Sequence, residues 1–124
     1  MFRYLILASL ALMGACSHTQ APLTLQSAAQ CPVNLTPGQK LVLTLPSHPS
    51  TGYSWHLDAS AHSQLGLISK SLTVPESSNM LGTQGVSVWQ FEALKPSEGH
   101  LVLHYQRPWE TEPVESFECR VQIQ

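Results

Sequence analysis

Alternating apolar residues, turn clusters every ten or so positions and the lack of any convincing helical run predict an all-β chain. The expected fold is an immunoglobulin-like β-sandwich of about seven strands over residues 31–124. The first strand, CPVNL (31–35), passes through the turn TPGQ into KLVLTLP (40–46), where Leu41, Leu43 and Leu45 fall on one face. GYSWHLDA, LGLISKSLTV, VSVWQFEAL, HLVLHYQ and SFECRVQIQ supply five more strands, separated by Gly, Pro, Ser and Asn clusters. Trp55 on the third strand, Trp89 and Phe91 on one face of the fifth, and Tyr105 in line with Leu101 and Leu103 on the sixth are the expected aromatic core.

The strands, lettered A to G for their connections, place their loops at two ends. If successive strands run in opposite directions, AB, CD and EF lie at one end of the sandwich and BC, DE and FG at the other. AB and EF are ordinary turns, TPGQ and KPSEG. The second set holds HPSTG in BC, PESSNMLGTQG in DE and RPWETEPVE in FG. Binding residues gather on loops held by a rigid scaffold, so the end carrying these three connections is the candidate site.

The 124 residues are 43% hydrophobic and 11% charged, with a formal charge of -2, enough for one small domain with its own core. Six Lys and Arg give no electrostatic footprint for a phosphate backbone, so nucleic acid is not an expected partner. Residues 1–15 read as a secretory signal, with Arg3 ahead of an apolar run that ends in Gly14 and Ala15. That run is too short to span a bilayer, which takes about 20 apolar residues. LMGAC (12–16) resembles the bacterial lipobox, which implies lipid on Cys16 as the mature N-terminus and, with Ser17 next, sorting to the outer membrane facing the periplasm. A plain signal peptide cut after Ala15 is the alternative. Residues 16–30, small and polar with weak periodicity, read as a lipid-anchored spacer.

With Cys16 set aside, Cys31 and Cys119 form an even pair near the ends of the domain. In an oxidising compartment they are a natural disulfide between the first strand and the last; two reduced buried thiols are the alternative, since sequence does not give their Cα separation. No metal site is expected: His100 and His104 are about 13 Å apart along a strand, too far to share an ion. No cofactor is expected either. There is no Gly-x-Ser-x-Gly elbow, no Cys with an activating His and no paired-carboxylate pattern, so the chain does not read as an enzyme.

The three loops together resemble those of the chagasin family, protein inhibitors of papain-like cysteine proteases. FG carries the complete Arg107, Pro108, Trp109 motif. BC keeps Pro49, Thr51, Gly52 and Tyr53 of the family pattern, with Ser50 as a mild change and His48 in place of Asn. DE, with Leu81, Gly82, Thr83, Gln84 and Gly85, matches least, because Gln84 stands where the family has Gly. The resemblance covers roughly residues 31–124. It implies a monomeric inhibitor that plugs a protease cleft without cofactor, nucleophile or large rearrangement. The BC loop would sit over the catalytic Cys and His, with DE and FG gripping the sides. Pro49 and Gly52 suit such a role by stiffening the loop beforehand. Trp109, between Pro108 and Glu110, is expected as an exposed aromatic anchor, with Arg107 stacking beside it. The acidic stretch Glu110, Glu112, Glu115 and Glu118 is expected to be a solvated face. A periplasmic lipoprotein that inhibits lysozyme or binds glycan is the alternative function, though it calls for a polar or basic loop tip rather than Pro-Ser-Thr-Gly and Pro-Trp.

Overall fold

A computed structural model describes residues 20–59, 64–74 and 84–124. Its strands are β1 (Leu23–Leu25), β2 (Val33–Leu35), β3 (Lys40–Ser47), β4 (Ser54–Leu57), β5 (Leu65–Thr73), β6 (Gly85–Ala93), β7 (Ser97–Gln106) and β8 (Glu115–Ile123). Two four-stranded sheets, ordered β1-β3-β6-β5 and β2-β8-β7-β4, pack face to face as the expected sandwich. The seven strands read from the sequence are β2 to β8.

Alternation explains the core. Leu41, Leu43 and Leu45 of β3 point inward with Trp89, Phe91 and Ala93 of β6. The opposite sheet presents Leu101, Leu103 and Tyr105 of β7 and Phe117, Cys119 and Val121 of β8, all of them buried. Each such large apolar side chain contributes about 1.5 to 3 kcal/mol on leaving water. The buried indoles also keep their N–H groups bonded. Trp55 Nε1 donates to the Pro46 carbonyl at 2.9 Å, and Trp89 Nε1 to Ser87 Oγ at 2.9 Å.

Residues 16–30 are not spacer throughout. Leu23–Leu25 pairs in parallel with Leu41–Leu43 at the edge of the first sheet, and Leu25 is completely buried. A short 3-10 turn, Ala28–Gln30, then carries the chain across to the second sheet, where β2 pairs in parallel with β8. Ser27 and Gln30 form a capping box: Ser27 Oγ accepts from Ala29 N, while Gln30 Oε1 accepts from the Gln26 and Ser27 amides. A three-residue strand is shorter than a period-2 pattern needs to declare itself, so nothing in the sequence marked it.

Cys31 and Cys119 are joined by a disulfide, with Cα atoms 5.5 Å apart, tying the segment ahead of β2 to the middle of β8. Of the two alternatives open at the level of sequence, the bridge is the one formed.

The pairing also sets the poles. Gly38 N donates to the Ala93 carbonyl, Ala93 N to Gln39 and Leu94 N to Gln64, which gathers AB, EF and the C-terminal side of CD at one end. At the other end Ser47, the last residue of β3, pairs with Gly85, the first of β6. Gly85 is bare for a reason. A Cβ there would lie 3.0 Å from the Thr73 carbonyl oxygen, tighter than nearly all real Cβ contacts, so the neighbouring backbone would have to give way. β5 forms the outer edge of its sheet, with a register shift between Leu67 and Ser69 and with Leu67, Ile68 and Leu72 about half exposed. The bulge is a common device for interrupting an otherwise continuous open edge.

Candidate functional site

The BC connection is a single 3-10 turn over Pro49–Thr51. Pro49 opens it with a preset φ and without an amide that would need a partner. Thr51 closes it twice over, its amide and its hydroxyl both donating to the His48 carbonyl, at 3.1 and 2.6 Å. Gly52 ends it in the left-handed region, at φ 81° and ψ -5°, with its amide donating to Pro49 O. Only glycine takes that conformation without a steric penalty. Gly52→Ala is therefore expected to cost about 1 kcal/mol, read by denaturant unfolding. Its Cβ would sit at an ordinary 3.6 Å from Trp109 Cη2, so the cost lies in the backbone and not in a clash. An unchanged unfolding midpoint would show that the turn does not hold this geometry in solution.

FG begins with a turn of its own, in which Glu110 N donates to the Arg107 carbonyl. This turn turns Trp109 outward, 72% exposed, the largest exposure among the described large apolar residues. Arg107 stays behind and links the loops. Its Nε donates to the Thr51 carbonyl at 3.1 Å, across 56 positions of sequence. Its guanidinium lies 4.3 Å from the Tyr53 ring centroid and 5.7 Å from that of Trp109, and Nη1 approaches Glu110 Oε1 at 3.7 Å. Stacking of this sort contributes about 0.5 to 1 kcal/mol at an exposed site. Its value here is geometric, because one side chain sets BC and FG in a fixed relation before any partner arrives.

Beneath Arg107 stands Tyr105, which sequence reasoning placed in the core and gave no further task. It is buried, as expected. Its hydroxyl also accepts the His48 amide at 2.9 Å, and its ring packs on Tyr53 at 5.4 Å and on Trp55 at 4.9 Å. The base of BC is thus fastened to the core by one hydrogen bond and a column of three aromatics. The only sequence clue was the position of Tyr105 at the inward register two residues ahead of Arg-Pro-Trp.

His48, Pro49, Ser50, Thr51, Gly52, Tyr53, Arg107, Pro108 and Trp109 all lie at this pole. Gln84 and Gly85 mark the base of DE beside Ser47, Gly85 buried as the start of β6 and Gln84 exposed. Leu81, Gly82 and Thr83 fall outside the described residues, as does Cys16. Next to BC, between the edges of the two sheets, is an open pocket of about 370 Å³ whose lining includes Pro49, Tyr53, Trp55, Leu72 and Trp89.

Two of the histidines, His56 and His104, serve structure. His104, on the outward face of β7, bridges Asp58 Oδ2 and Ser116 Oγ, each at 3.0 Å, and His56 is bonded to Ser54 Oγ. Among the described residues no group of three His, Cys, Asp or Glu is arranged to hold a metal ion. Of the acidic stretch, Glu110 is drawn toward Arg107, while Glu112, Glu115 and Glu118 are exposed.

Residues 34–121 match a family model described as chagasin family peptidase inhibitor I42. No curated protein matches the chain. Among solved structures, the cysteine protease inhibitor EhICP2 from Entamoeba histolytica superposes with a TM-score of 0.68 at 26% identity, over 84% of this chain and 96% of that one. Amebosin aligns over 85% of this chain and 100% of its own, with a TM-score of 0.67 at 22% identity. PbICP-C, in its complex with falcipain-2, aligns over 90% and 96%, with a TM-score of 0.56 at 21% identity. The last two likenesses speak to the fold.

Proposed function

Since the chain belongs to the chagasin family of peptidase inhibitors and is not an enzyme, we propose that it blocks papain-like cysteine proteases by filling their active-site cleft with the BC, DE and FG loops. The observation that carries this reading is the bracing of two loops by Arg107, which leaves the Thr51–Gly52 tip and the Trp109 ring side by side and open to solvent. EhICP2 is itself a cysteine protease inhibitor, and PbICP-C is seen with falcipain-2 bound, which favours a cysteine protease as the partner here as well.

In this mechanism the BC tip enters the centre of the cleft above the catalytic Cys, and Trp109 and the DE loop hold its two walls. The tip offers hydroxyls and backbone amides but no electrophile beyond ordinary peptide bonds, so blockade is steric and reversible. Rigid loops favour affinity, because little conformational freedom remains to be lost on binding. About 800 Å² per partner is the usual scale of such an interface, with a few aromatic anchors dominating. Cys16 would carry lipid and fix the inhibitor to the periplasmic face of the outer membrane, where an oxidising environment suits the Cys31–Cys119 bridge.

Titration of the mature protein against papain, with lysozyme in parallel, tests the function. Papain is inhibited and lysozyme is not; the reverse pattern would overturn the proposal. Trp109→Ala is expected to lose about 2 kcal/mol of binding, roughly 30-fold in the inhibition constant, with the melting temperature unchanged because the ring is mostly in solvent. Papain whose catalytic Cys bears a small alkyl cap still binds by calorimetry. A covalent adduct in the mass spectrum, or an obligatory cut between Ser50 and Tyr53, would rule out the steric mechanism.

A further inference from the structure

The chain enters the sandwich at the pole opposite the loops. Gln39 Nε2 donates to the Ala21 carbonyl at 3.1 Å and Thr36 Oγ1 donates to Gln20 Oε1, which sets the first described residues beside the AB turn. β1 then runs parallel to β3, whose far end, Ser47, adjoins BC. At a rise of about 3.3 Å per residue, β3 holds the two poles roughly 25 Å apart.

The entry pole has its own surface chemistry. Two of the three lysines in the chain, Lys40 and Lys95, are exposed there, and neither is ion-paired with another described residue. Leu94, 51% exposed, lies next to Lys95, and Pro37 and Pro96 are exposed beside them. Among the described residues, the nearby side-chain carboxylates are Glu92, opposite Lys40 in the ladder, and Glu98, which is held by Arg120 at 3.0 Å. The third lysine, Lys70, is on β5 over the Trp89 ring.

We infer that this pole, through Lys40, Lys95 and Leu94, rests on the anionic phospholipid headgroups of the leaflet that holds the Cys16 anchor, and so points the three binding loops away from the bilayer. The inference rests on the proposed acylation of Cys16. Three residues separate Cys16 from Gln20, and even fully extended that stretch spans at most about 14 Å, so the anchor keeps the entry pole close to the headgroups. That tether lets the lysines come within about one Debye length of the surface charge, where each favours contact, and an exposed leucine gains by entering the interface.

Lysine footprinting tests this with native residues only. The mature acylated protein, its lipid verified by intact mass, is placed in phosphatidylethanolamine–phosphatidylglycerol vesicles and treated with an acetylating reagent. The reference is the unacylated Cys16→Ser chain in buffer. Acetylation of Lys40 and Lys95 is expected to slow by about threefold or more while Lys70 keeps its rate, and the protection should weaken in vesicles lacking phosphatidylglycerol. Equal rates at all three lysines, protection of Lys70 in their place, or a mature protein without lipid would each overturn the inference. Papain titration on the same vesicles is a separate readout: the expected footprint without inhibition supports the orientation and overturns the protease reading alone.

Discussion

Reduction of the Cys31–Cys119 bridge lowers the stability of the domain by about 4 to 5 kcal/mol, the amount that chain entropy assigns to a loop closed across 88 positions. For a domain of this size each kcal/mol moves the melting temperature by about 4 °C or more, so a drop on the order of 20 °C should be seen by circular dichroism. Reduction is a cleaner probe than Cys31→Ala with Cys119→Ala. It leaves both side chains in place, whereas truncating Cys119, 1% exposed, also opens space in the core. The bridge restrains a piece of chain that has few other attachments, since β1 and β2 are three residues each and bond to different sheets. It lies among the strands, away from BC and FG, so inhibition persists after reduction at temperatures below the new midpoint. Two reactive thiols in unfolded, unreduced protein would refute the bridge. An unchanged midpoint after complete reduction would refute its contribution.

Trp55→Ala is expected to cost about 3 to 5 kcal/mol, as a fully packed aromatic does. The indole is 6% exposed, tilts against Tyr105 with centroids 4.9 Å apart and donates to the Pro46 carbonyl. Its loss leaves a cavity, removes the donor from that carbonyl and takes away one support of the tyrosine whose hydroxyl holds the His48 amide. Stability and inhibition should therefore fall together, in contrast to Trp109→Ala, which separates them. Trp55→Phe keeps most of the volume and isolates the hydrogen bond, so its cost should be nearer 1 to 2 kcal/mol. Urea unfolding measures both variants. A loss below about 1 kcal/mol for Trp55→Ala would mean that the site collapses around the gap and that the indole is not a keystone of the packing.

Much of this architecture is legible in the sequence. Alternation in KLVLTLP and HLVLHYQ, interrupted at Val42 and Val102, marks both which segments are strands and which face meets the core, because a residue's face in a sheet follows from its parity. The grouping of BC, DE and FG needed only that successive strands reverse direction. The ladders agree: β3 is antiparallel to β6, β6 to β5, β4 to β7 and β7 to β8, while β2 returns parallel to β8. Pro49 and Gly52 announced a stiff turn, since each restricts or frees φ whatever its neighbours are.

Tertiary structure alone decided the remainder, and in each case the deciding contact spans a long stretch of sequence. Leu23–Leu25 is a strand only because the edge of β3 is there to receive it, and Leu25 is core only because the sandwich closes over it. Local composition, polar and small on both sides, said spacer. Tyr105 obeys the inward parity of its strand, yet its bond to His48 joins positions 57 apart. Arg107 likewise reaches the Thr51 carbonyl across 56 positions and stacks on Tyr53, turning two separate loop motifs into one braced edge. Sequence by itself determined which residues alternate, turn and stay exposed, since those properties belong to a residue and its immediate neighbours. Which loop residues hold one another in place was decided by the folded sandwich, because hydrogen bonds and ring contacts act over only a few ångströms and the fold alone brings such distant residues that near.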